Sequence, residues 1–412
     1  MSGSFQQGLS GLNAAQRGLE VISNNVSNAS AIGFKGSSAE FSDVFARSFD
    51  GGNNSRASIG LGTKLSAVNQ KFTQGNITVT GNPLDLAING TGFFKVQTDD
   101  GELVYTRNGR FSLDSEGNVR NSNGSLLQGF PIDQTTGLLS NVSTAINIPQ
   151  AAIRPSATGT SSMTANLDSR QAGTATAFNP TDLTSFEHST SFNVFDQQGA
   201  DHTMQVYFKR QVGTDTWNVY AQIEGTNVTL APATVSFDIN GQINAPSQIS
   251  VDATAFDPLF SAGPPANTFT YDLSGSTQYG SAFQVQDLSQ DGYASAPFSG
   301  FSVDAEGMVS INYANGQIVD IFKVGLYKFK NPEGLQPVGS TGWLATPAAG
   351  PELVSFSEET AFGTIQSGAL EEANIDLTAE LVAMITAQRV YQANSQTIKT
   401  QDQLLQTITN LR

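Results

Sequence analysis

Two apolar stripes of helical period, one at each end of the chain, bracket an interior of period two. Phe5, Gly8, Leu12, Ala15, Leu19, Ile22 and Val26 recur at intervals of three and four, with Leu9 beside them, so one face of a helix is apolar. Gln6, Asn13, Gln16, Arg17 and Glu20 fall on the other face. Leu377, Leu381, Met384, Tyr391, Ile398 and Leu405 hold a similar register near the other end, widened by Ile385, Leu404, Ile408 and Leu411 and interrupted by Gln388, Ser395 and Asp402. Asn24, Asn25 and Asn28 mark the end of the first helix. Asp376, or Thr378 with Glu380 behind it, starts the second. Isolated helices of this length are marginal in water, so both stripes need partners, either each other or neighbouring copies of the chain.

From Thr73 to Thr346 apolar residues alternate with polar ones between frequent turn residues, as in Ile77-Thr78-Val79-Thr80 and Met204-Gln205-Val206-Tyr207-Phe208, which predicts an all-β interior. The run from Phe111 to Val119 recurs from Phe301 to Val309, each with a hairpin turn at Glu-Gly. If the echo means shared surroundings, both belong to one domain and the residues between them are an insertion. Pro- and Gly-bearing stretches at Ile148–Pro155 and Gln290–Pro297 fit its two edges. The expected fold is mainly β with α-helical termini that pair as a coiled coil, in a nested multidomain order. Residues 1–28 and 374–412 form the helical domain, 29–72 and 355–373 a connecting segment, 73–150 and 293–354 an inner β domain, and 151–292 an outer β domain inserted in it. Asp50–Ser55, after a segment carrying Phe34, Phe41, Phe45 and Phe49, reads as a stretch of low order.

Charge narrows the function. Of 412 residues only 14% are charged, against about 25% in an ordinary soluble protein, and the net charge is −16. About a third of the chain is Ser, Thr, Asn and Gln, so solubility rests on neutral hydrogen-bonding groups. An acidic chain lacks the positive field that neutralises phosphates, which argues against nucleic acid and anionic membranes as partners. No run approaches the roughly 20 apolar residues of a membrane span; Ile318–Phe329 is broken by Asp320, Lys323 and Lys328. Met1–Gly8 has neither a basic leader nor an apolar core, so no cleavable secretory signal is expected. Cysteine is absent, which removes thiol catalysis, Cys-ligated zinc and disulfides.

Chemistry-bearing patterns are sparse. His188 and His202 sit in polar β or turn contexts and read as solvated or hydrogen-bonded surface residues. Gly60-Leu61-Gly62-Thr63-Lys64 lacks phosphate-loop spacing and reads as a bend before a strand. Asp114, Glu116 and Asn118 alternate like calcium ligands, but Gly117 and Ser125 stand where ligands belong, so a hairpin tip is expected. Asp99-Asp100-Gly101-Glu102 reads as turn chemistry rather than a carboxylate pair. No enzyme, cofactor or metal is expected.

Several runs carry a resemblance. Ser10–Ala15, Asn24-Asn25-Val26-Ser27-Asn28 and Gly33-Phe34-Lys35 resemble the N-terminal signature of the rod and hook axial proteins of the bacterial flagellum. Asn89–Phe94 and Tyr105–Phe111 resemble that family's β-domain motif. Ser367–Leu377, continuing through Gln388-Arg389, Tyr391-Gln392 and Lys399-Thr400, resembles its closing helix. Length and the insertion look most like the hook members, and the resemblance is weak across 151–292.

The resemblance implies a structural subunit of the flagellar hook, the curved flexible tube that transmits motor torque from rod to filament. Its partners would be other copies of itself, the distal rod, the hook cap, the hook–filament junction proteins and the flagellar export apparatus. Its place would be the extracellular flagellum, reached without a cleavable signal peptide. It also implies that Phe5, Leu9, Leu12 and Leu19 face Leu377, Leu381, Met384, Tyr391, Ile398 and Leu405 in an inner tube, and that Gly33-Phe34-Lys35 fixes the bend leading outward. The alternative is a secreted adhesin whose inserted domain holds a ligand.

Overall fold

Helices α1 (Ser2–Ser27) and α2 (Leu377–Asn410) form where the two stripes place them. The computed structural model describes residues 2–45, 60–134, 136–244, 246–254, 268–355 and 362–410. Asp376 starts α2: its Oδ1 accepts from the amides of Thr378 (2.9 Å) and Ala379 (3.2 Å), which satisfies donors that have no partner inside the helix. α1 ends at the asparagines, where the Asn28 amide donates to the Asn24 carbonyl at 3.1 Å and its side chain reaches the same oxygen at 2.9 Å.

The two helices run antiparallel and meet through small residues. A Cβ on Gly8 would lie 3.1 Å from Ile398 Cγ1, and one on Gly11 would lie 2.8 Å from Asn394 Nδ2. Behind α1 the chain forms an antiparallel strand pair, Ser37–Phe45 with Gly60–Gln70, where the sequence predicts only a connecting segment. It lies along α1: Gln7 Nε2 donates to the Gly60 carbonyl at 2.6 Å, and a Cβ on Gly62 would come within 1.9 Å of Ser10 Oγ. The expected bend at Gly60–Lys64 is thus the start of a strand held against a helix. Asp50–Ser55 and Phe49 lie outside the described residues.

The chain divides into two compact units, one of Met1–Pro149, Gly300–Asn312 and Ile318–Arg412, the other of Gln150–Ser299 and Tyr313–Gln317. In the first, neighbouring strands run Ile318–Val324, Leu126–Pro131, Phe94–Gln97, Leu103–Thr106, Gly342–Leu344 and Gln336–Gly339. Its core gathers Phe93, Tyr105, Phe130, Tyr327, Phe329 and Trp343, with the Tyr105 and Phe329 rings edge to face at 4.8 Å. In the second, the order is His188–Phe195, Asp201–Arg210, Thr216–Ile223, Thr226–Ala231, Gln248–Asp252, Thr268–Asp272, Thr160–Asp168 and Thr277–Tyr279. Alternation decides which side is buried: Met204, Val206, Phe208, Trp217, Val219 and Ile223 point into one core. His188 is not solvated as expected. It is half-buried and stacks on Phe283 at 4.6 Å and Trp217 at 5.6 Å, because the strand alternation aims it at those rings.

The echoed runs form equivalent turns. In each, an aspartate Oδ1 (Asp114, Asp304) accepts from the amides two and four residues on, and a glycine closes the turn at positive φ, +85° at Gly117 and +82° at Gly307.

Candidate assembly interface

The helix pair has two different sides. On one, the small residues Gly11, Ala14, Gly18, Ala383 and Ala387 and the strands Ser37–Phe45 and Gly60–Gln70 leave an apolar groove of about 630 Å³. At about 100° per residue, Leu9 and Leu381 lie close to half a turn round their helices from Gly18 and Ala383. There the large apolar side chains are open to solvent: Phe5 is 40% exposed, Leu9 44%, Leu377 47%, Leu381 48% and Ile385 51%. Leu12, Leu19, Met384 and Ile398 are half-buried, and Tyr391 is exposed. Leu405 belongs to α2, but its side chain lies outside the described residues. Within one chain, therefore, Gly8 and Gly11 let α2 approach through Ile398 and Asn394, while Phe5, Leu9, Leu377, Leu381 and Ile385 remain free to meet something else.

The motif residues behind α1 act on the backbone. Asn25, 2% exposed, clamps Ser37 from both sides: its Nδ2 donates to the Ser37 carbonyl at 2.8 Å and its Oδ1 accepts from the Ser37 amide at 2.9 Å. The same Nδ2 reaches Glu380 Oε1 on α2 at 3.1 Å. Asn24 and Asn28 bond each other at the helix end. Gly33 takes φ +68°, and a Cβ there would come within 2.5 Å of the Arg107 backbone, so this close crossing needs glycine. Phe34 is half-buried, its amide donating to the Ala31 carbonyl at 3.2 Å.

Lys35 enters a fully buried charge cluster. Its Nζ donates to Glu371 Oε1 at 2.6 Å and to the Thr73 carbonyl at 2.7 Å, while Arg107 Nη1 donates to Glu371 Oε2 at 3.0 Å. The Gly75 amide also donates to Glu371 Oε1, at 2.8 Å, and Arg107 Nη2 to the Gly90 carbonyl, at 2.8 Å. The side chains of Lys35 and Glu371 are 0% exposed and that of Arg107 4%. Burial pushes both cations below their ordinary pKa ranges, and the Glu371 carboxylate opposes it. The resemblance gives Gly33-Phe34-Lys35 a bend leading outward and does not anticipate the cluster that Lys35 enters. Glu371 and Arg107 lie within the resembling runs but are not singled out there, because only the fold shows that Lys35 and Arg107 are buried and need a counter-charge. The small-residue groove was also missed; Gly11, Ala15 and Gly18 at helical spacing are its signal.

Family models match in chain order. Residues 5–35 match the flagella basal body rod protein family, 87–166 the flagellar hook protein FlgE/F/G D1 domain, 166–293 the flagellar basal body protein FlaE D2 domain, and 366–411 the flagellar basal body rod FlgEFG protein C-terminal region. Terminal helices around nested β domains, matched by these models, define an axial protein of the flagellar rod and hook class. The flagellar hook protein FlgE of Escherichia coli K12 is 37% identical over 99% of this chain and 100% of its own length. That of Rhizobium meliloti is 31% identical over 100% and 99%. The chain belongs to the flagellar hook protein FlgE family, a structural family rather than an enzyme family, and these matches give no support to an adhesin. The crystal structure of Helicobacter pylori flagellar hook protein FlgE2 shares the fold, with TM-score 0.56 at 14% identity, covering 71% of this chain and 100% of that one.

Proposed function

We propose that this chain is the repeating subunit of a flagellar hook, and that the solvent-exposed apolar side of its helix pair is buried against neighbouring copies in the polymer. The observation that carries the reading is the state of α2. Its Ile398 and Asn394 side already packs on α1, yet Leu377, Leu381 and Ile385 remain open to water on another side. Contacts between different surfaces of identical copies generate an open helical tube where the rotation from copy to copy does not close into a ring. Further partners consistent with this place are the distal rod, a cap at the growing end, the junction proteins toward the filament and the export apparatus. The site would be the extracellular flagellum. The proposal includes domain limits of 1–28 with 374–412, 29–72 with 355–373, 73–150 with 293–354, and 151–292.

Leu381→Asp tests the reading. In the free chain the carboxylate stays in water at a half-exposed position; between copies it would be an unpaired buried charge costing several kcal/mol at every contact. The expected result is an unchanged thermal transition of the β units with no pelleted polymer after seeding with preformed hooks. Normal polymer yield would contradict it.

A further inference from the structure

Five asparagines of the chain precede glycine: Asn89, Asn108, Asn123, Asn240 and Asn315. With no Cβ, the following residue leaves its peptide nitrogen open to attack on the side-chain amide carbon. Three of the five sit in turns of one pattern, Asn121-Ser122-Asn123-Gly124, Asp238-Ile239-Asn240-Gly241 and Tyr313-Ala314-Asn315-Gly316. In these the glycine amide donates to the first residue's carbonyl at 3.1, 3.0 and 3.0 Å, and the glycine takes φ +87°, +75° and +83°. All three asparagines are exposed. What differs is the hold on the side chain. Asn240 Nδ2 donates to Asp238 Oδ2 at 3.3 Å. Asn315 Nδ2 donates to the Ala294 carbonyl at 2.9 Å, and its Oδ1 accepts from the Gln317 amide at 3.1 Å. Asn123 is engaged through its backbone amide, which donates to Asn121 Oδ1 at 3.0 Å; among the described residues no hydrogen bond holds its side chain. The remaining two are fixed. Asn89 ends the strand Leu86–Asn89 and its Oδ1 accepts from Gln74 Nε2 at 3.2 Å, while Asn108 Oδ1 accepts from the Arg110 amide at 3.1 Å beside the buried Gly109.

We propose that Asn123 is a modification site of this chain, where the folded structure directs spontaneous deamidation. The Gly124 nitrogen loses its proton and bonds to Asn123 Cγ, and the Cγ–Nδ2 bond breaks, releasing ammonia and leaving a five-membered succinimide. Water then opens the ring at either carbonyl, giving aspartate or isoaspartate. For Cγ to reach that nitrogen the side chain must rotate, and a side chain pinned by a hydrogen bond must first break it. In the isoaspartyl product the main chain runs through the former side chain and is one methylene longer. That lengthening falls next to the Gly124 carbonyl, which accepts from Arg120 Nη1 at 3.1 Å. The new carboxylate joins a turn that faces Asp99, whose Oδ2 lies 3.6 Å from where a Cβ on Gly124 would stand. The inference stands apart from the hook-subunit reading and needs only the β fold around position 123.

The full chain is incubated in mildly alkaline buffer, once folded and once in denaturant. Amide loss at each asparagine is followed by peptide mass spectrometry, and isoaspartate by labelling with protein L-isoaspartyl methyltransferase. Dividing the folded rate by the denatured rate at each site removes the effect of neighbours such as Ser122 and Ile239. The quotient is expected to be highest at Asn123, on the order of fivefold above Asn240 and Asn315, with isoaspartate the main product there. Two substitutions exchange the tether. Asn121→Asp keeps the oxygen that accepts from the Asn123 and Ser125 amides, at 3.0 and 2.9 Å, and adds the second oxygen with which Asp238 holds Asn240. It should slow the folded rate at position 123 about fivefold. Asp238→Asn takes that oxygen away and should speed position 240 by a similar factor. A quotient at Asn123 no higher than at Asn240 and Asn315 overturns the site, and so does a folded rate that either exchange leaves unchanged.

Discussion

Asp114 illustrates how single residues hold this charge-poor chain. Burial works to raise its pKa but is outweighed by the Asn118 amide and side chain, the Arg120 guanidinium at 2.7 Å and the Glu116 amide, which hold the carboxyl at about 2. Unfolded, the same group titrates near 3.9, so its contribution to stability is fully present above about pH 4 and is lost as pH falls through about 2. Asp114→Asn should therefore lower the thermal midpoint of the β fold at neutral pH, with the difference from the native sequence shrinking between about pH 4 and about pH 2. A difference constant over that window would contradict the assignment. The turn itself was legible, because Asp and Gly at fixed spacing dictate it. The charge cluster was not: nothing local to Lys35 indicates a carboxylate 336 residues away, and only the fold brings them together.

At the scale of elements, legibility follows burial. The strands of the two cores were readable because one side of each meets a core, and the helices because their apolar stripes keep the helical period against each other and, in our reading, against neighbouring copies. The strand pair Ser37–Phe45 with Gly60–Gln70 escaped for the opposite reason. It lies along α1 outside both cores, and Phe41, Leu65 and Val68 are 42%, 37% and 48% exposed, so its alternation carries little burial signal. The insertion was legible from its Pro-bearing edges, and those edges pair with each other: the Ile153 amide donates to the Ala296 carbonyl at 2.9 Å, and Tyr293 and Ser156 exchange bonds at 2.9 and 3.0 Å. Since the two crossings are neighbours, joining them after excision of residues 151–292 should leave a chain with a cooperative thermal transition and strand-type circular dichroism. Loss of all folded signal would refute the nested order.

For the whole molecule, the central claim is that one surface changes state, from water-exposed in the single chain to buried between copies. The absence of cysteine makes that claim directly measurable, because a single introduced thiol is unique in the chain. Leu381→Cys places it on the half-exposed side of α2, and Leu183→Cys, at a position 80% exposed in the inserted unit, serves as the reference. The rate of reaction with a small soluble thiol reagent is then compared between free subunits and pelleted polymer. The account predicts that the thiol at position 381 reacts readily in free subunits and is protected at least tenfold in the polymer, relative to position 183. Equal protection factors at the two positions, in a polymer that forms normally, would contradict it.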